Sequence, residues 1–376
     1  MPYSMRLQEK VTFGQKLIRI NWILIILITL TAGVGFIALY SAGGGNIDKW
    51  AMPQIQRFVL GFIVMIGIAL TDIKWWYRLA YPAYIGGFLL LIIVEAKGHI
   101  GMGAQRWIDL GFMKLQPSEL MKIAVVMALA RYYNNLQLMD IRRTWMMLPP
   151  LAMIFAPVAL VLLQPDLGTS LMIVMAGAGM MFLAGVKMRW FIGAITAGVC
   201  AIPVAWEFMH EYQKERVRTF LDPERDPLGA GYHITQSKIA LGSGGLEGKG
   251  FMQGTQSHLN FLPEKQTDFI FTLYAEEFGL LGGIGLLILM ALIFLYGLYI
   301  PSRCRNDFGK LLSMGLILNF SLYVFINIGM VMGLLPVVGA PLPLVSYGGT
   351  SMLATMAAFG LVMCCNVYRD TKLTRV

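Results

Sequence analysis

Charge is scarce in this chain: Asp, Glu, Lys and Arg make up only 14% of its 376 residues, against 57% hydrophobic residues and a mean hydropathy of +0.65. A soluble domain carries nearer a quarter charged residues, so a soluble globular enzyme is excluded. Cysteine is also scarce. Cys200, Cys304, Cys364 and Cys365 all fall outside the segments expected to be exported, so no disulfide framework is implied. The four histidines (His99, His210, His233, His258) match no metal-binding spacing, and no Ser-His-Asp pattern, nucleotide fold or low-complexity tail is present. The glycine-rich GSGGLEGKG (Gly242–Gly250) is not a Walker loop. Ser243 stands five residues before Gly248, and Gly250 rather than Ser or Thr follows Lys249.

What is present is a series of long, charge-poor runs able to cross roughly 30 Å of hydrocarbon. Spans are expected near residues 20–40, 54–71, 76–95, 117–133, 145–163, 168–185, 190–209, 269–300, 311–335 and 346–367. The first is too long for a signal-peptide core and ends in no convincing small-residue cleavage site, so it is expected as a retained helix. With the N-terminus inside, 17 of the 30 basic residues fall on inner segments, among them Arg142, Arg143, Arg303 and Arg305. That bias predicts cytoplasmic termini and one long outer loop at about 210–268, between helices 7 and 8. It also accounts for the net charge of +9 without nucleic acid. The expected fold is an all-α integral membrane protein, a polytopic bundle of about ten helices forming a single domain over 1–376.

Polar residues gather on the outer side. The loop HIGMGAQRWIDLGFMKLQPSEL (His99–Leu120) brings Arg106, Trp107, Asp109 and Lys114 together in a glycine-spaced stretch. Trp107 suits an interfacial anchor and a binding role equally. Glu119 and Lys122, three apart, share a helix face; ionisable groups inside a span point to function before an ordinary i,i+3 pair. Gln164-Pro165-Asp166 repeats the Gln-Pro turn of Gln116-Pro117, which proline's preference for a first helical turn can explain. HEYQKERVRTF (His210–Phe220) pairs Glu211 with Lys214 and Glu215 with Arg218 at the spacing of a surface helix. The Gly242–Gly250 stretch is expected to be flexible, able to approach a phosphate or sugar. Glu276 and Glu277 interrupt the eighth span, so its outer turns must face protein or water. In FLPEKQTDFIF (Phe261–Phe271), Glu264, Lys265 and Asp268 run straight into that span. An enzyme, a channel and a transporter all fit a multi-span protein with an outward polar cavity.

The motifs narrow the choice. The run NIGMVMGLLPVVGAPLPLVSYGGTS (Asn327–Ser351) strongly resembles the signature of the SEDS family (shape, elongation, division and sporulation), which includes RodA, FtsW and SpoVE. GAQRWIDLGFMKLQPSELMKI (Gly103–Ile123) looks like the family's second marker. RVRTFLDPERDPLGAGYHITQSKIALGSGGLEGKGFMQGTQS with FLPEKQTDFIF looks like its third, most similar to the RodA branch. Two positions depart from the pattern. Ala340 stands where a larger aliphatic is usual, and Gln266 where many relatives carry His. If the chemistry survives, it needs no imidazole at 266, and the burden shifts to Asp268.

The resemblance implies a peptidoglycan glycosyltransferase that polymerises lipid II into β-1,4-linked strands during elongation and rod-shape maintenance, on the outer face of the bacterial inner membrane. It implies a class B penicillin-binding protein and other elongation-complex membrane proteins as partners. Asp268 is then the expected general base for the acceptor 4-hydroxyl, a poor nucleophile until deprotonated. The α-linked pyrophosphate becomes a β-glycoside, so one inverting displacement suffices. The cations expected at the leaving pyrophosphate are Arg106, Lys114, Lys122, Arg216, Arg218, Lys249 and Lys265, with Trp107, Glu119 and Glu264 among the other substrate-binding candidates. Attraction to anionic headgroups explains some of these cations equally well. A divalent cation, Mg or Mn, bridging the pyrophosphate oxygens stays open, although no dedicated metal cage is legible. The competing reading is a flippase or transporter of the same lipid-linked precursor. A scaffold that only docks the transpeptidase leaves the intramembrane charges unexplained.

Overall fold

The computed structural model describes residues 12–101, 104–109, 111, 114–137, 143–209, 211–222, 230–258 and 264–373. The helices and strands run α1 (Phe13–Arg19), α2 (Trp22–Ala42), α3 (Ala51–Leu70), α4 (Ile73–Lys97), β1 (His99–Gly101), β2 (Ala104–Asp109), β3 (Lys114–Leu115), α5 (Pro117–Asn134) and α6 (Leu148–Leu163). They continue with α7 (Leu167–Leu183), α8 (Met188–Phe208), α9 (Glu211–Leu221), α10 (Ala230–Ser243), α11 (Thr255–His258), α12 (Ile270–Arg303), α13 (Asp307–Val331) and α14 (Gly349–Val367). Among the described residues, α2, α3, α4, α6 with its preceding turn, α12, α13 and α14 are the seven helices long and apolar enough to cross a bilayer. Helices α5, α7 and α8 lie where the other three spans were expected. The protein is an all-α polytopic membrane protein.

The bundle is organised around α5, which is buried on nearly every face from Pro117 to Ala130. It packs along α4, α13 and α7. A helix covered all round by protein can hold charges that a lipid-facing helix cannot. Glu119 (8% exposed) and Lys122 (1%) sit on it. Lipid-facing positions behave oppositely: Ile63, Leu281 and Ile288 are exposed and apolar. Helix α8 is exposed over almost all of its described length. On α9 both expected pairs form, Lys214 with Glu211 at 3.2 Å and Arg218 with Glu215 at 3.4 Å. Most of the turn region that follows lies outside the described residues.

Two stretches differ from the sequence reading. The segment after α4 is no irregular loop but a three-stranded antiparallel sheet, β1-β2-β3, with His99 opposite Trp107 and Asp109 opposite Lys114. The adjacent β-favouring residues Trp107 and Ile108 suit a short strand, and glycine spacing obscured it. The Gly242–Gly250 stretch is not a flexible loop either. Past the end of α10 its backbone is hydrogen-bonded into a break in α12. As expected, Glu276 and Glu277 at that break are buried, at 0% and 1% exposure.

Candidate active site

Three helix starts and two loops meet at one end of the bundle around a cavity of about 260 Å³. The start of α5 contributes Gln116 and Glu119, the start of α7 contributes Asp166 and Thr169, and the start of α14 contributes Gly348 to Ser351. Glu264, Thr267 and Asp268 enter from the segment before α12, and Arg106 and Trp107 from β2. Tyr323 of α13 lines the floor. Each helix N-terminus presents backbone N–H groups and about half a positive charge, which offsets part of the charge of the four carboxylates lining the cavity, Glu119, Asp166, Glu264 and Asp268. Of the three, α5 and α14 have no side chain capping their first turn. Asp166 caps α7, accepting from Thr169 N at 3.1 Å and from Thr169 Oγ1 at 2.9 Å.

Asp268 is held by its backbone. Asn327 Nδ2, on α13, donates to the carbonyls of Asp268 (2.9 Å) and Ala340 (2.7 Å). Ser346 Oγ donates to Thr267 O at 2.6 Å, and Tyr347 N to Gln266 O at 2.8 Å. The proline-rich turn 336–351 is thereby bound to residues 266–268, leaving the carboxylate as the free end of a fixed segment. Among the described residues no donor reaches the Asp268 carboxylate. Burial pushes this carboxyl up to about 6, and the neighbouring Glu264 carboxylate acts in the same direction. Glu264 accepts from Gln266 Nε2 at 3.2 Å and from Thr267 Oγ1 at 3.1 Å. Gln266 thus donates to a neighbouring carboxylate, a task an amide performs without an imidazole.

Arg106 lies against the Gln164-Pro165-Asp166 turn. Its Nε donates to Gln164 O at 3.0 Å, its Nη2 to Pro165 O, and Asp166 Oδ2 stands 3.9 Å from Nε. Lys122 Nζ reaches Glu119 Oε1 at 2.7 Å, and Tyr323 donates to the same carboxylate at 2.8 Å. The ammonium also lies 4.2 Å from the centre of the Tyr323 ring. Such a pair holds its two charges in a low-dielectric interior only while both partners are present.

Of the expected site residues, Asp268, Arg106, Trp107, Glu119 and Glu264 line one cavity, with Lys122 one turn behind Glu119. Lys114 is exposed on β3, and its carbonyl accepts from Thr350 Oγ1 at 2.8 Å. Lys265 is half-buried; burial, and then the charge of Lys49, lowers its pKa. Arg218 pairs on the surface of α9, and Lys249 pairs with Glu276 at 2.8 Å in the break of α12. Neither lines the cavity. The side chain of Arg216 lies outside the described residues. Sequence reasoning passed over Asp166, Gln116, Tyr323 and Asn327. The twinned Gln-Pro turns were the available signal for the first two, and a polar side chain inside a span for the others. Arg57, which no sequence motif singled out, lies 4.5 Å from the ring centre of Tyr347, a residue of the cavity wall.

A family model described as cell cycle protein, for the FtsW, RodA and SpoVE group, matches residues 18–371. The chain is similar to the peptidoglycan glycosyltransferase MrdB of Escherichia coli, with 45% identity over 363 residues, covering 96% of this chain and 97% of that one. It is similar to stage V sporulation protein E of Bacillus subtilis, with 34% identity and coverage of 93% and 97%. Among solved structures, it resembles a chain of a peptidoglycan synthase complex that coordinates polymerization and crosslinking, at TM-score 0.84 and 30% identity, covering 94% of this chain and 99% of that one. It also resembles the rod shape determining protein RodA of Thermus thermophilus, at TM-score 0.71 and 27% identity, covering 94% and 98%.

Proposed function

Since this chain belongs to the FtsW, RodA and SpoVE family of cell cycle proteins, we propose that its cavity is where a peptidoglycan glycosyltransferase deprotonates the acceptor sugar and releases a lipid-linked pyrophosphate. The chain is a peptidoglycan glycosyltransferase, and the substrate in this reading is lipid II. Asp268 is the general base: it is a carboxylate on a fixed backbone at the mouth of a span, where a prenyl-anchored sugar meets water. The acceptor 4-hydroxyl gives its proton to Asp268 as its oxygen attacks the anomeric carbon. The pyrophosphate leaves from the opposite face, towards the N–H groups that open α14 and the Arg106 guanidinium. One inverting step results, with no covalent enzyme intermediate.

Arg106 contributes here mainly by joining β2 to the turn before α7, and Lys122 holds Glu119 in place beneath the cavity. A resident divalent ion does not fit the donor set. Among the described residues no three His, Cys, Asp or Glu side chains are grouped to hold one. Asp166 and Glu119 are already committed to their own partners. A Mg or Mn ion belongs to this reading only as a companion of the substrate pyrophosphate, and no step runs through it. The reading keeps ten spans, cytoplasmic termini and an outward cavity in the inner membrane, with a class B penicillin-binding protein cross-linking the strands.

The observation that carries the proposal is the meeting of Asp268 with the starts of α5, α7 and α14 on one cavity. Its test is glycan-strand synthesis from lipid II in detergent, where there are no sides to cross and transport alone yields nothing. Wild-type protein should make strands, and Asp268→Asn should make them roughly 10²–10⁴-fold more slowly. Near-normal strands from a well-folded Asn variant would remove Asp268 from the chemistry.

A further inference from the structure

The break in α12 and the glycine-rich segment after α10 complete one another. At Gly279 the backbone leaves the helix, with φ 66° and ψ −166°. In an unbroken helix the N–H groups of 280 and 281 would donate to the carbonyls of 276 and 277. Here Leu280 N donates to Gly245 O at 2.9 Å and Leu281 N to Leu246 O at 3.1 Å. In return Lys249 N donates to Glu276 O at 3.0 Å and Gly250 N to Glu277 O at 3.1 Å. These four groups are satisfied by one neighbouring segment, in a region where an unsatisfied backbone group is expensive. The approach leaves no room for side chains. A Cβ on Gly248 would stand 2.1 Å from Glu277 O, and one on Gly279 would stand 2.3 Å from Gly248 N.

One ion pair closes this junction. The Glu276 carboxylate, fully buried, accepts from Lys249 Nζ at 2.8 Å and from Gln256 N at 2.9 Å, while Lys249 Nζ also donates to Thr255 Oγ1 at 2.8 Å. Between the junction and Asp268 lies only the outer part of α12, Ile270 to Phe278, which spans about 13 Å at 1.5 Å per residue. Over that length a tilt of about 5° moves the far end by about 1 Å. A displacement of that size in a reacting group is enough to cost about 10²-fold in rate.

We propose that Lys249 and Glu276 are positioning residues for the glycosyl transfer, fixing the outer half of α12 so that Asp268 meets the acceptor hydroxyl. The proposal rests on the reading of Asp268 as the base, and it takes Lys249 away from the substrate pyrophosphate. The geometry makes the two residues one unit: removing either partner frees the same junction, and neither lines the cavity.

The test uses the full chain, purified and assayed for polymerisation of lipid II, with Lys249→Met, Glu276→Gln, Lys249→Arg and Asp268→Asn made in parallel. Lys249→Met and Glu276→Gln are each expected to lower kcat by about 10- to 100-fold while KM for lipid II stays within about twofold. Lys249→Arg, which keeps the ion pair, should recover most of the rate. Adding Lys249→Met to Asp268→Asn should leave the residual rate unchanged, because a residue that acts through Asp268 has nothing left to position. A raised KM in Lys249→Met with Glu276→Gln silent would overturn the proposal and return Lys249 to the substrate. Wild-type kcat in both folded variants, with only a lowered Tm, would also overturn it and leave a structural strut. Full activity of Asp268→Asn would instead defeat the general-base reading itself, whatever the junction variants do.

Discussion

At the scale of single residues, Asp268 carries a contradiction that pH can expose. Its carboxyl is raised to about 6 from the ordinary 3.8, chiefly by burial and then by Glu264. A base must be ionised, so polymerisation should rise with pH through about 6 and level off above it, falling about tenfold per unit on the acid side. The stability sign runs the other way. A carboxyl whose folded value is raised stabilises the fold while protonated, and this contribution is lost as pH climbs from 3.8 towards 6. Above that, ionised Asp268 weighs against the fold, so Asp268→Asn should unfold at a temperature no lower than wild type at pH 7.5, as thermal unfolding in detergent can measure. A site that sacrifices stability for chemistry behaves so. A mere helix-capping carboxylate would show neither the acid limb nor the loss of activity.

At the scale of elements, the clamp on Asp268 is shared between α13 and the turn 336–351. Asn327 is fully buried, and its amide alone bonds Asp268 O and Ala340 O. Asn327→Ala should therefore leave two carbonyls without that donor, lowering stability by about 1–3 kcal/mol for each that water cannot reach. Polymerisation should fall more than the loss of folded protein explains, which Tm and specific activity measured on one preparation will separate. The sequence made much at this scale legible. The helices lie within a few residues of the apolar runs, because hydrocarbon thickness dictates their length. Asp268 and Glu119 were legible as polar groups at helix ends, and Arg106 and Trp107 as members of a polar outer loop. Lys249 was read by charge alone, and charge does not say which carboxylate a lysine will meet after a glycine turn. Asn327 and Tyr323 escaped because a lone polar residue in a span acquires meaning only from the helix packed against it.

At the scale of the whole molecule, the candidate cavity lies at the end of the bundle that carries the sheet and the glycine-rich segment. The orientation reading places this end outside. Single cysteines introduced at exposed Leu246 and exposed Ile18 should be labelled from opposite sides of sealed cells, with Leu246 reached by an impermeant thiol reagent and Ile18 protected. Labelling of Leu246 only after permeabilisation would invert the topology. The central place of α5 has a further consequence, for the order in which the protein is built. Glu119, Lys122 and Arg131 make this helix a poor candidate for entering lipid alone, and its partner Tyr323 is synthesised two hundred residues later. Until then α4, α6 and α7, which pack against it, are the neighbours that can shelter it, with Glu119 and Lys122 neutralising each other. Biogenesis is therefore expected to keep α5 sheltered first by α4 and then by α6 and α7 until α13 arrives to close the bundle.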